Sequence, residues 1–370
     1  MRIGIDAHAI GTGAGGNETY IRSLIAALRA PAPEFDFTAL ALRDVIGRDP
    51  DCVMGMPTFP LRLHSSILRT PFELPWAAWR LDLDLIHVQY NAPPLCPCPF
   101  VVSLHDVGWE RHPDLFTPGM RRRLALLVPG TLRRAARVFA LTHAIKHEIH
   151  ETYGTALDRI DVVSPGVDPA FFERHSPESI TSARSEYRIP NDYVLYVGAL
   201  QPRKNLVRLA AAFKRVVDRH PSLPHALVLA GKKTWLYDEV IDSIESLRLG
   251  DRLIFTGYVA QEHLISLVQG ASVFAYISLY EGFGLPVLEA MAAGTPVLTS
   301  STRALREVAG DAAVICEPLD DVSIEAGLEQ ILLDAPLRAQ LQALGTQRAS
   351  HYSLQAMARS AIAGYQSALS

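Results

Sequence analysis

The sequence predicts an α/β protein made of two doubly wound parallel-sheet domains, and three observations support this fold class. Short apolar runs rich in Val, Ile and Leu alternate with helical patterns along almost the whole chain. Such continuous apolar strands are typical of parallel sheets that helices cover on both faces. Two series of these strands flank a break at 166–192 that holds three prolines, and 370 residues is too long for one ordinary core.

The predicted strands fall into two groups of six. In the first group they are 2–7, 36–42, 84–90, 100–106, 137–142 and 160–165; in the second they are 193–199, 225–231, 252–258, 272–278, 296–300 and 312–317. Helices without strands follow over about 321–368. We therefore expect an N-terminal domain over 1–170, on which a last helix at about 355–370 packs back, and a C-terminal domain over 171–354. Ligands of such sheets bind at the carboxyl ends of the strands, so the expected site is a cleft between the domains.

Composition argues against several classes of protein. The formal net charge is −4 and the pI is about 6.4, which argues against nucleic-acid binding. Four cysteines make no disulfide framework, and Cys96 and Cys98 lack the second pair that a zinc site needs, so reduced thiols are expected. The first residues form no apolar signal region, and no run approaches the roughly 18 apolar residues of a membrane span. These features predict a cytoplasmic protein.

The stretch "LYEGFGLPVLEAMAAGTPV" at 279–297 predicts a loop that leads from a buried strand into a helix. Pro286 suits the first helical turn, because the backbone N–H that it lacks would be unpaired there anyway. The loop before the helix contains Gly282, Phe283, Gly284 and Leu285. Its backbone N–H groups would lie at the positive end of the helix dipole, where a diphosphate fits.

Glu281 and Glu289 flank this loop, one before the helix and one about a turn inside it. Neither suits a phosphate, because like charges repel. Both could accept hydrogen bonds from hydroxyls on either side of a diphosphate, and a nucleotide sugar offers a ribose on one side and a hexose on the other. The alternative is that both are ordinary acids that favour the start of a helix.

A second stretch, "YVGALQPRKNL" at 196–206, predicts a strand end, a loop with Arg203 and Lys204, and a helix capped by Asn205. Two adjacent cations at the carboxyl end of a strand suit a diphosphate, and they would also neutralise charge on a departing nucleotide. A solvated basic loop is the alternative.

These motifs resemble the retaining glycosyltransferases of family 4. "VGALQPRKN" precedes "EGFGLPVLEAMAAGTPV" in the chain, with "GKK" at 231–233 and "FTGYV" at 255–259 between them, as in that family. The resemblance spans nearly the whole chain and implies the GT-B fold, in which two Rossmann-like domains face each other across a cleft. It also implies that the backbone around Tyr258 and Val259 meets the nucleotide base.

The resemblance implies roles for the charged residues as well. Glu281 would contact hydroxyls of the donor sugar, and Glu289 would bind the ribose. Arg203 and Lys204 would hold the diphosphate. One position departs from the pattern: many members have Arg directly after the strand-end glycine, where this chain has Ala199, so Arg203 would supply that charge.

The N-terminal stretch "GTGAGGNETYIRSL" formally contains G-x-G-x-x-G at Gly11, Gly13 and Gly16. A dinucleotide site needs the first glycine directly after the strand, but several residues separate Asp6 from Gly11. An NAD-dependent reductase or epimerase therefore stays a remote alternative. In family 4 this loop, here Gly15 and Gly16, lets the backbone approach the donor phosphate and the acceptor.

His105 lies in "VVSLHDVGWERHPDLF" at 101–116, at the carboxyl end of an apolar strand. This is the expected place for a side chain that reaches a cleft. The resemblance implies that this His contacts the donor sugar and the reaction centre. A histidine of the core is the alternative.

The stretch "MRRRLALLVPGTLRRAAR" at 120–137 contains six arginines and no acid. It could rest on an anionic bilayer, in peripheral contact with the inner membrane, or on the diphosphate of a lipid-linked acceptor. A solvated helix pair is the alternative.

We expect a retaining glycosyltransferase that moves a hexose from a nucleoside-diphosphate sugar to a saccharide or lipid-linked acceptor in polysaccharide or glycolipid biosynthesis. "LHDVGWERHPDLF" and "GALQPRKN" resemble bacterial mannosyltransferases of surface-polysaccharide synthesis, so GDP-mannose is the expected donor, with UDP- and dTDP-sugars left open. A sugar-binding protein of periplasmic type is the non-enzymatic alternative, but it would need an export signal.

The expected mechanism is a front-face reaction, because no carboxylate pair offers an obvious nucleophile for a double displacement. The leaving diphosphate, stabilised by Arg203, Lys204 and the helix start, would itself accept the proton of the acceptor. These charges would replace a metal ion, so neither a metal nor a cofactor is expected. The predicted catalytic residues are His105, Arg203, Lys204 and Glu281.

Overall fold

The computed structural model describes residues 1–13, 15–29, 34–231 and 237–370. The chain divides into two compact units. The first comprises Met1–Gly166 together with Ser353–Ser370, and the second comprises Val167–Tyr352. Within the described residues, no helix combines the length and apolarity that crossing a bilayer requires.

The first unit is built on a parallel sheet of seven strands in the order β3-β2-β1-β4-β5-β6-β7. The strands are β1 Arg2–Asp6, β2 Asp36–Leu42, β3 Thr58–Leu61, β4 Leu85–Gln89, β5 Phe100–Leu104, β6 Arg137–Ala140 and β7 Ile160–Val162. β4 and β5 are buried at every position, because helices cover both faces of the sheet. The chain order reverses between β1 and β4, which marks the edge where ligands of such sheets bind.

The strand β3 is absent from the sequence-based prediction. It has four residues, one of which is Pro60, and it forms one edge of the sheet. A proline cannot donate a backbone hydrogen bond, so within sheets it is found on edge strands. A short edge strand with a proline lacks the long apolar run that identifies the central strands.

Among the described residues, seven helices of the first unit precede the second unit in the chain. They are α1 Gly16–Leu28, α2 Arg43–Arg48, α3 Ser66–Leu68, α4 Leu74–Arg80, α5 Gly108–Arg111, α6 Pro118–Arg134 and α7 His143–Tyr153. A five-residue π-helical segment, Arg69–Glu73, joins α3 to α4 without a break. α1 buries one stripe that includes Ile21, Leu24, Ile25 and Leu28, the spacing that a helix packed on a sheet requires.

The second unit is built on a parallel sheet of six strands in the order β10-β9-β8-β11-β12-β13. The strands are β8 Tyr193–Val197, β9 Ala226–Ala230, β10 Leu253–Gly257, β11 Val273–Tyr276, β12 Val297–Ser300 and β13 Val314–Cys316. The helices are α8 Pro177–Glu186, α9 Leu206–Arg219, α10 Tyr237–Glu245, α11 Gln261–Gly270, α12 Leu285–Ala292, α13 Arg303–Ala309, α14 Asp321–Leu333 and α15 Ala335–Ser350. Two parallel-sheet α/β units confirm the predicted fold class.

The last helix, α16 Leu354–Leu369, belongs to the first unit, where it packs against α1. Tyr365 of α16 is completely buried, and its hydroxyl lies 2.6 Å from Nδ1 of His87 in β4. Nε2 of His87 lies 2.8 Å from the hydroxyl of Ser103, which in turn lies 2.8 Å from the hydroxyl of Tyr20. This buried network ties α16, two central strands and α1 together.

Candidate active site

Two loops of the second unit meet at the carboxyl ends of the neighbouring strands β8 and β11. After β8 the chain makes a 3-10 turn at Pro202–Lys204 before α9, and after β11 it runs through 277–284 to α12. The backbone N–H of Leu279 donates to the carbonyl oxygen of Arg203 over 2.8 Å, which joins the loops directly. The chain order reverses between β8 and β11, and ligands of doubly wound sheets bind beside such a reversal.

The side chains of these loops form a buried cluster around Glu281. Its Oε2 lies 3.0 Å from Nη1 of Arg203, and its Oε1 pairs with Nζ of Lys204. The hydroxyl of Tyr276, at the end of β11, donates to the same Oε1 over 3.2 Å and accepts from Nζ of Lys204 over 2.5 Å. The structure therefore brings three of the four predicted catalytic residues into contact.

The charges of this cluster favour an anion. Burial opposes the ionisation of Glu281, but the neighbouring charges of Arg203 and Lys204 prevail and hold its pKa at about 2. Glu281 is therefore a carboxylate throughout the neutral range. Since two cations face one carboxylate, the cluster carries one excess positive charge at the carboxyl end of the sheet. Burial, with the charge of Glu281, also raises the pKa of Tyr276 well above its usual value, so the tyrosine keeps its proton.

Asn205 occupies the N-cap position of α9, as predicted, but its side chain makes no capping hydrogen bond. Its backbone has φ 60°, a left-handed conformation that asparagine tolerates better than most residues. Its Nδ2 donates instead to the carbonyl oxygens of Ile277 and Pro318, over 3.3 and 2.6 Å. Asn205 thus fixes the loop after β8 to the loops after β11 and β13.

The start of α12 lies directly after Glu281. Gly284 is the N-cap residue, with φ 101°, and no side chain caps the helix there. The left-handed conformation favours glycine, and a Cβ at Gly284 would meet Cδ2 of Leu305 at 2.3 Å, so that this side chain would have to shift. Phe283 is buried and its ring packs edge-on against Tyr352. Gly282 is buried as well, whereas Leu285 is partly exposed.

Glu289 lies one turn inside α12 and is partly buried. Its carboxyl group makes no hydrogen bond within the described residues. Burial, and then the negative charge of Asp168, raise the pKa of Glu289 to about 7. The two glutamates flanking the loop thus have opposite electrostatic surroundings, because cations surround Glu281 and another acid faces Glu289.

Tyr258 and Val259 follow β10, at the carboxyl end of the same sheet. Tyr258 is exposed and Val259 is buried. Strand β9 separates β10 from β8, so these two residues lie to one side of the Glu281 cluster. Lys232 and Lys233 of the "GKK" motif lie outside the described residues.

In the first unit, His105 follows β5 and is buried. Its Nδ1 lies 3.0 Å from Oδ1 of Asn17, near the start of α1, so Nδ1 carries the ring proton and Nε2 a lone pair. Nε2 is buried and has no hydrogen-bond partner among the described residues. Burial, and then the charge of His87, lower the pKa of His105 to about 3, so the ring is neutral near pH 7. A buried acceptor without a partner is costly, and a ligand hydroxyl would satisfy it.

The glycine loop precedes α1 in this unit. Gly15 has φ 59°, and a Cβ built on Gly15 or Gly16 would meet nothing within 4 Å, so the space beside both is open. The carboxylate of Glu18 accepts hydrogen bonds from the backbone N–H groups of Gly11 and Gly13, each over 2.9 Å. An acid in the first turn of α1 therefore holds the loop in its conformation.

Three residues that shape these clusters were not identified from the sequence: Tyr276, Asn17 and Glu18. Asn17 and Glu18 directly follow the glycines, and polar residues at a helix start commonly bond to nearby backbone. Their position next to the glycines, at the start of a predicted helix, was a signal by which the sequence could have identified them. Tyr276 lies inside an apolar run, where a tyrosine is indistinguishable from an ordinary core residue. In the described part of the chain, no group of three or more His, Cys, Asp or Glu side chains is arranged to hold a metal ion.

Comparison with known families covers most of the chain. The family model described as Glycosyltransferase Family 4 matches residues 14–171, and the model described as Glycosyl transferases group 1 matches residues 180–348. The chain is similar to O-antigen chain mannosyltransferase B of Escherichia coli, with 30% identity over 254 residues, 68% of this chain and 66% of that protein. It is also similar to the serotype-specific mannosyltransferase WbdA of Escherichia coli, with 31% identity over 239 residues, 63% of this chain and 29% of that protein. The matched region thus spans less than two thirds of either relative.

Solved structures show the same architecture. The Anabaena protein Alr3699/HepE, in complex with UDP and glucose, superimposes with a TM-score of 0.77 and 19% identity, covering 99% of this chain and 100% of that one. WaaG, a glycosyltransferase involved in lipopolysaccharide biosynthesis, superimposes with a TM-score of 0.74 and 18% identity, covering 98% of both chains. These likenesses show the GT-B fold.

Proposed function

This chain belongs to the family 4 glycosyltransferases, and from that premise we propose that it transfers a hexose, with retention at the anomeric carbon, from a nucleoside-diphosphate sugar. The proposed donor is GDP-mannose. The proposed acceptor is a saccharide or a lipid-linked saccharide in polysaccharide or glycolipid biosynthesis. The similarity to two mannosyltransferases supports the choice of sugar, whereas UDP- and dTDP-sugars are the alternative donors.

The observation that carries this proposal is the cluster of Arg203, Lys204 and Glu281 beside the start of α12. Its excess positive charge, together with the helix dipole, suits the diphosphate of a donor. As the glycosidic bond breaks, negative charge develops on the leaving diphosphate, and the guanidinium of Arg203 and the ammonium of Lys204 stabilise it.

We propose that Glu281 acts as an acceptor for hydroxyls of the donor sugar. At a pKa of about 2 it is a poor general base near pH 7, because it binds protons only in strong acid. In the proposed front-face reaction, the bond from the anomeric carbon to the diphosphate oxygen breaks and a bond to the acceptor oxygen forms on the same face. The acceptor's proton passes to the leaving diphosphate oxygen. The side-chain cations and the helix start offset the charge, so the proposal includes no metal ion or cofactor.

The other predicted ligands complete the proposed donor site. Glu289 accepts hydrogen bonds from the ribose, and the backbone at Tyr258 and Val259 meets the base. His105 accepts a hydrogen bond from a hydroxyl of the sugar through Nε2, which has no hydrogen-bond partner among the described residues. The open space beside Gly15 and Gly16 supports their proposed role in letting phosphate and acceptor come close.

We propose a cytoplasmic location with peripheral contact to the inner membrane through residues 120–137. In α6, which carries most of this stretch, Arg121, Arg122 and Arg123 are exposed. Arginines on a surface helix attract anionic lipid headgroups. The diphosphate of a lipid-linked acceptor offers the same chemistry.

A thermal-shift panel of GDP, UDP, dTDP and ADP tests the donor. The cognate nucleotide stabilises the folded state in proportion to its occupancy, so GDP is expected to raise the melting temperature clearly and the others little. A preference for UDP would overturn the mannose assignment and leave the fold and the diphosphate site standing. If none of the four nucleotides stabilises the protein, the proposed donor site is wrong.

A further inference from the structure

The helical run of α3, the π segment and α4, residues 66–80, turns its apolar face outward. Leu68, Phe72, Trp76 and Trp79 have exposed fractions of 47%, 66%, 48% and 70%. Their spacing of four, four and three residues places them along one side of a helix. Ile67, with an exposed fraction of 75%, lies beside this stripe.

The buried side of the same run combines apolar side chains, Leu74, Ala77 and Ala78, with two charged residues. Glu73 is buried and its carboxylate accepts from the backbone N–H groups of Arg62 and Leu63, over 2.6 and 2.9 Å. Arg69 is buried as well, and its Nη1 donates to the carbonyl oxygens of Leu63 and His64, over 3.1 and 2.7 Å. A surface helix normally exposes its charges and buries its large apolar side chains, so the exposed aromatic residues and the buried Arg69 and Glu73 depart from the usual pattern.

These hydrogen bonds, together with the buried apolar side chains, fix the orientation of the run. Rotating the run to bury the aromatic stripe would strip two buried charged groups of their partners, at the cost of their desolvation. The outward position of Phe72, Trp76 and Trp79 is therefore built into the packing of the first unit. A contiguous exposed apolar stripe of this kind marks a surface that contacts something else.

The charges around the stripe indicate what it contacts. Nη1 of Arg123, in α6, lies 3.4 Å from the hydroxyl of Ser66, so α6 lies beside the start of the run. α6 exposes Arg121, Arg122 and Arg123 there, together with Leu126 and Leu127. Over 59–80 the single acid is the buried Glu73, and 117–137 contains no acid.

We propose that residues 66–80 and the arginines of α6 form one face that docks on an anionic lipid bilayer, with Phe72, Trp76 and Trp79 inserted at the level of the headgroups. Tryptophan favours this zone, because its ring is apolar and its indole N–H is polar. Arginines beside it pair with anionic headgroups. The face adds an inserted anchor to the contact proposed for 120–137, and it is independent of the donor and the transfer reaction.

Flotation of the full chain with lipid vesicles tests this face. Vesicles of phosphatidylcholine alone and vesicles in which about one third of the lipid is phosphatidylglycerol are compared at low salt. The wild type is expected to float with the anionic vesicles. The variant Phe72→Ser/Trp76→Ser/Trp79→Ser is expected to lower the partition coefficient at least about tenfold, because it removes the inserted rings.

The second unit offers a matched control. Leu319 and Val322 have exposed fractions of 69% and 73%, so Leu319→Ser/Val322→Ser removes exposed apolar groups from another surface. This control is expected to bind like the wild type. Arg121→Gln/Arg122→Gln/Arg123→Gln is expected to lose most of the preference for anionic vesicles.

Quenching of tryptophan emission by brominated lipids measures insertion in an experiment that does not need the serine variant. Tryptophan emission of the wild type is expected to fall on anionic vesicles, and Trp76→Phe/Trp79→Phe, which stays apolar, is expected to lose that quenching while it still floats. Any of three results would overturn the proposal. The serine variant floats as well as the wild type, the wild type binds neutral vesicles as well as anionic ones, or its tryptophan emission is not quenched. A dimer in light scattering that the serine variant dissociates, without flotation, would assign the face to a second copy of the chain instead.

Discussion

Oε2 of Glu281 lies 3.0 Å from Nη1 of Arg203, although the two residues follow different strands of the sheet. The pair exists because β8 and β11 are neighbours and both loops leave the same edge. Lys204 binds the other carboxylate oxygen, so one acid holds two cations in place before any donor arrives. Such preorganisation costs nothing at the moment of reaction.

The first prediction concerns Lys204→Ala. We expect kcat for hexosyl transfer to fall by about 10²–10³, the loss typical of removing one charge-stabilising donor from an active site. The variant should stay folded, because Arg203 and Tyr276 still satisfy Glu281. Steady-state kinetics and circular-dichroism melting measure the two effects. Lys214→Ala, which removes a partly exposed lysine paired with Asp218 on α9, is the control and should transfer at the normal rate. Near-normal transfer by Lys204→Ala would refute the assignment.

A second prediction separates charge from shape at Glu281. Glu281→Gln keeps the size of the side chain and removes its negative charge, so the cluster gains one excess positive charge. We expect GDP to bind as tightly as in the wild type or more tightly, while kcat falls by at least about 100-fold. Calorimetry and turnover test the two halves separately. Weaker GDP binding would mean that the main task of the carboxylate is to hold the two cations in position.

The third prediction follows from the raised pKa of Glu289, about 7 in the folded state against an ordinary value of 4.5. Between these values the folded protein binds a proton that the unfolded chain has released, so stability falls as pH rises from about 4.5 to about 7. Glu289→Gln removes this fall. Between pH 5 and pH 8, the free energy of unfolding of the variant should therefore rise relative to that of the wild type by an amount of order 2 kcal/mol. Chemical denaturation at both pH values measures it. Glu186→Gln, an exposed change in the same unit, should follow the wild-type curve.

The same group links donor binding to pH. Ribose hydroxyls donate to the carboxylate form of Glu289, so nucleotide affinity should rise as pH increases through about 7. Titration of GDP across pH 5.5–8.5 by calorimetry tests this expectation. A pH-independent affinity in the wild type, or the same slope in Glu289→Gln, would remove Glu289 from the ribose site.

The fourth prediction concerns His105, whose pKa of about 3 leaves it neutral over the working range. At saturating donor, kcat should therefore show no titration step of His105 near the ordinary histidine pKa of about 6.5. His105→Phe keeps the packing against Tyr20, 4.5 Å away between ring centroids, and removes the acceptor Nε2. We expect kcat/KM to fall at least tenfold with an unchanged or slightly higher melting temperature, because a buried nitrogen that lacks a partner among the described residues is lost.

Asn17→Leu extends the test of His105. In the wild type, Oδ1 of Asn17 accepts the proton on Nδ1 of His105 and so keeps Nε2 as an acceptor. Without this oxygen the ring can also carry its proton on Nε2, so Asn17→Leu should lose part of the activity that His105→Phe loses. If both variants transfer at the normal rate, His105 is a core histidine.

The sequence predicted twelve of the thirteen strands found in the described residues, because central parallel strands are long apolar runs. It missed β3, where Pro60 and an edge position remove that signal. It also placed Arg203, Lys204 and Glu281 after strands. Their mutual pairing depends on β8 lying next to β11, and this order of strands is a tertiary property that chain order does not reveal.

The exposed apolar stripe on 66–80 shows a different limit of prediction from sequence. Apolar spacing identifies residues that share a helix face, but it does not tell whether that face points to the core or to solvent. Here two buried charged residues, Arg69 and Glu73, decide the direction. Their hydrogen bonds to the loop at 62–64 appear only once the chain is folded.

The return of α16 to the first unit has a consequence for the order in which the protein is made. The second unit is continuous in the chain, so all of it is synthesised before α16, the last helix of the first unit. Until then His87 lacks the hydroxyl of Tyr365, and the network that reaches Tyr20 beside His105 stays incomplete. The first unit is thus completed only after the whole second unit has been synthesised, and the geometry around His105 matures at that point.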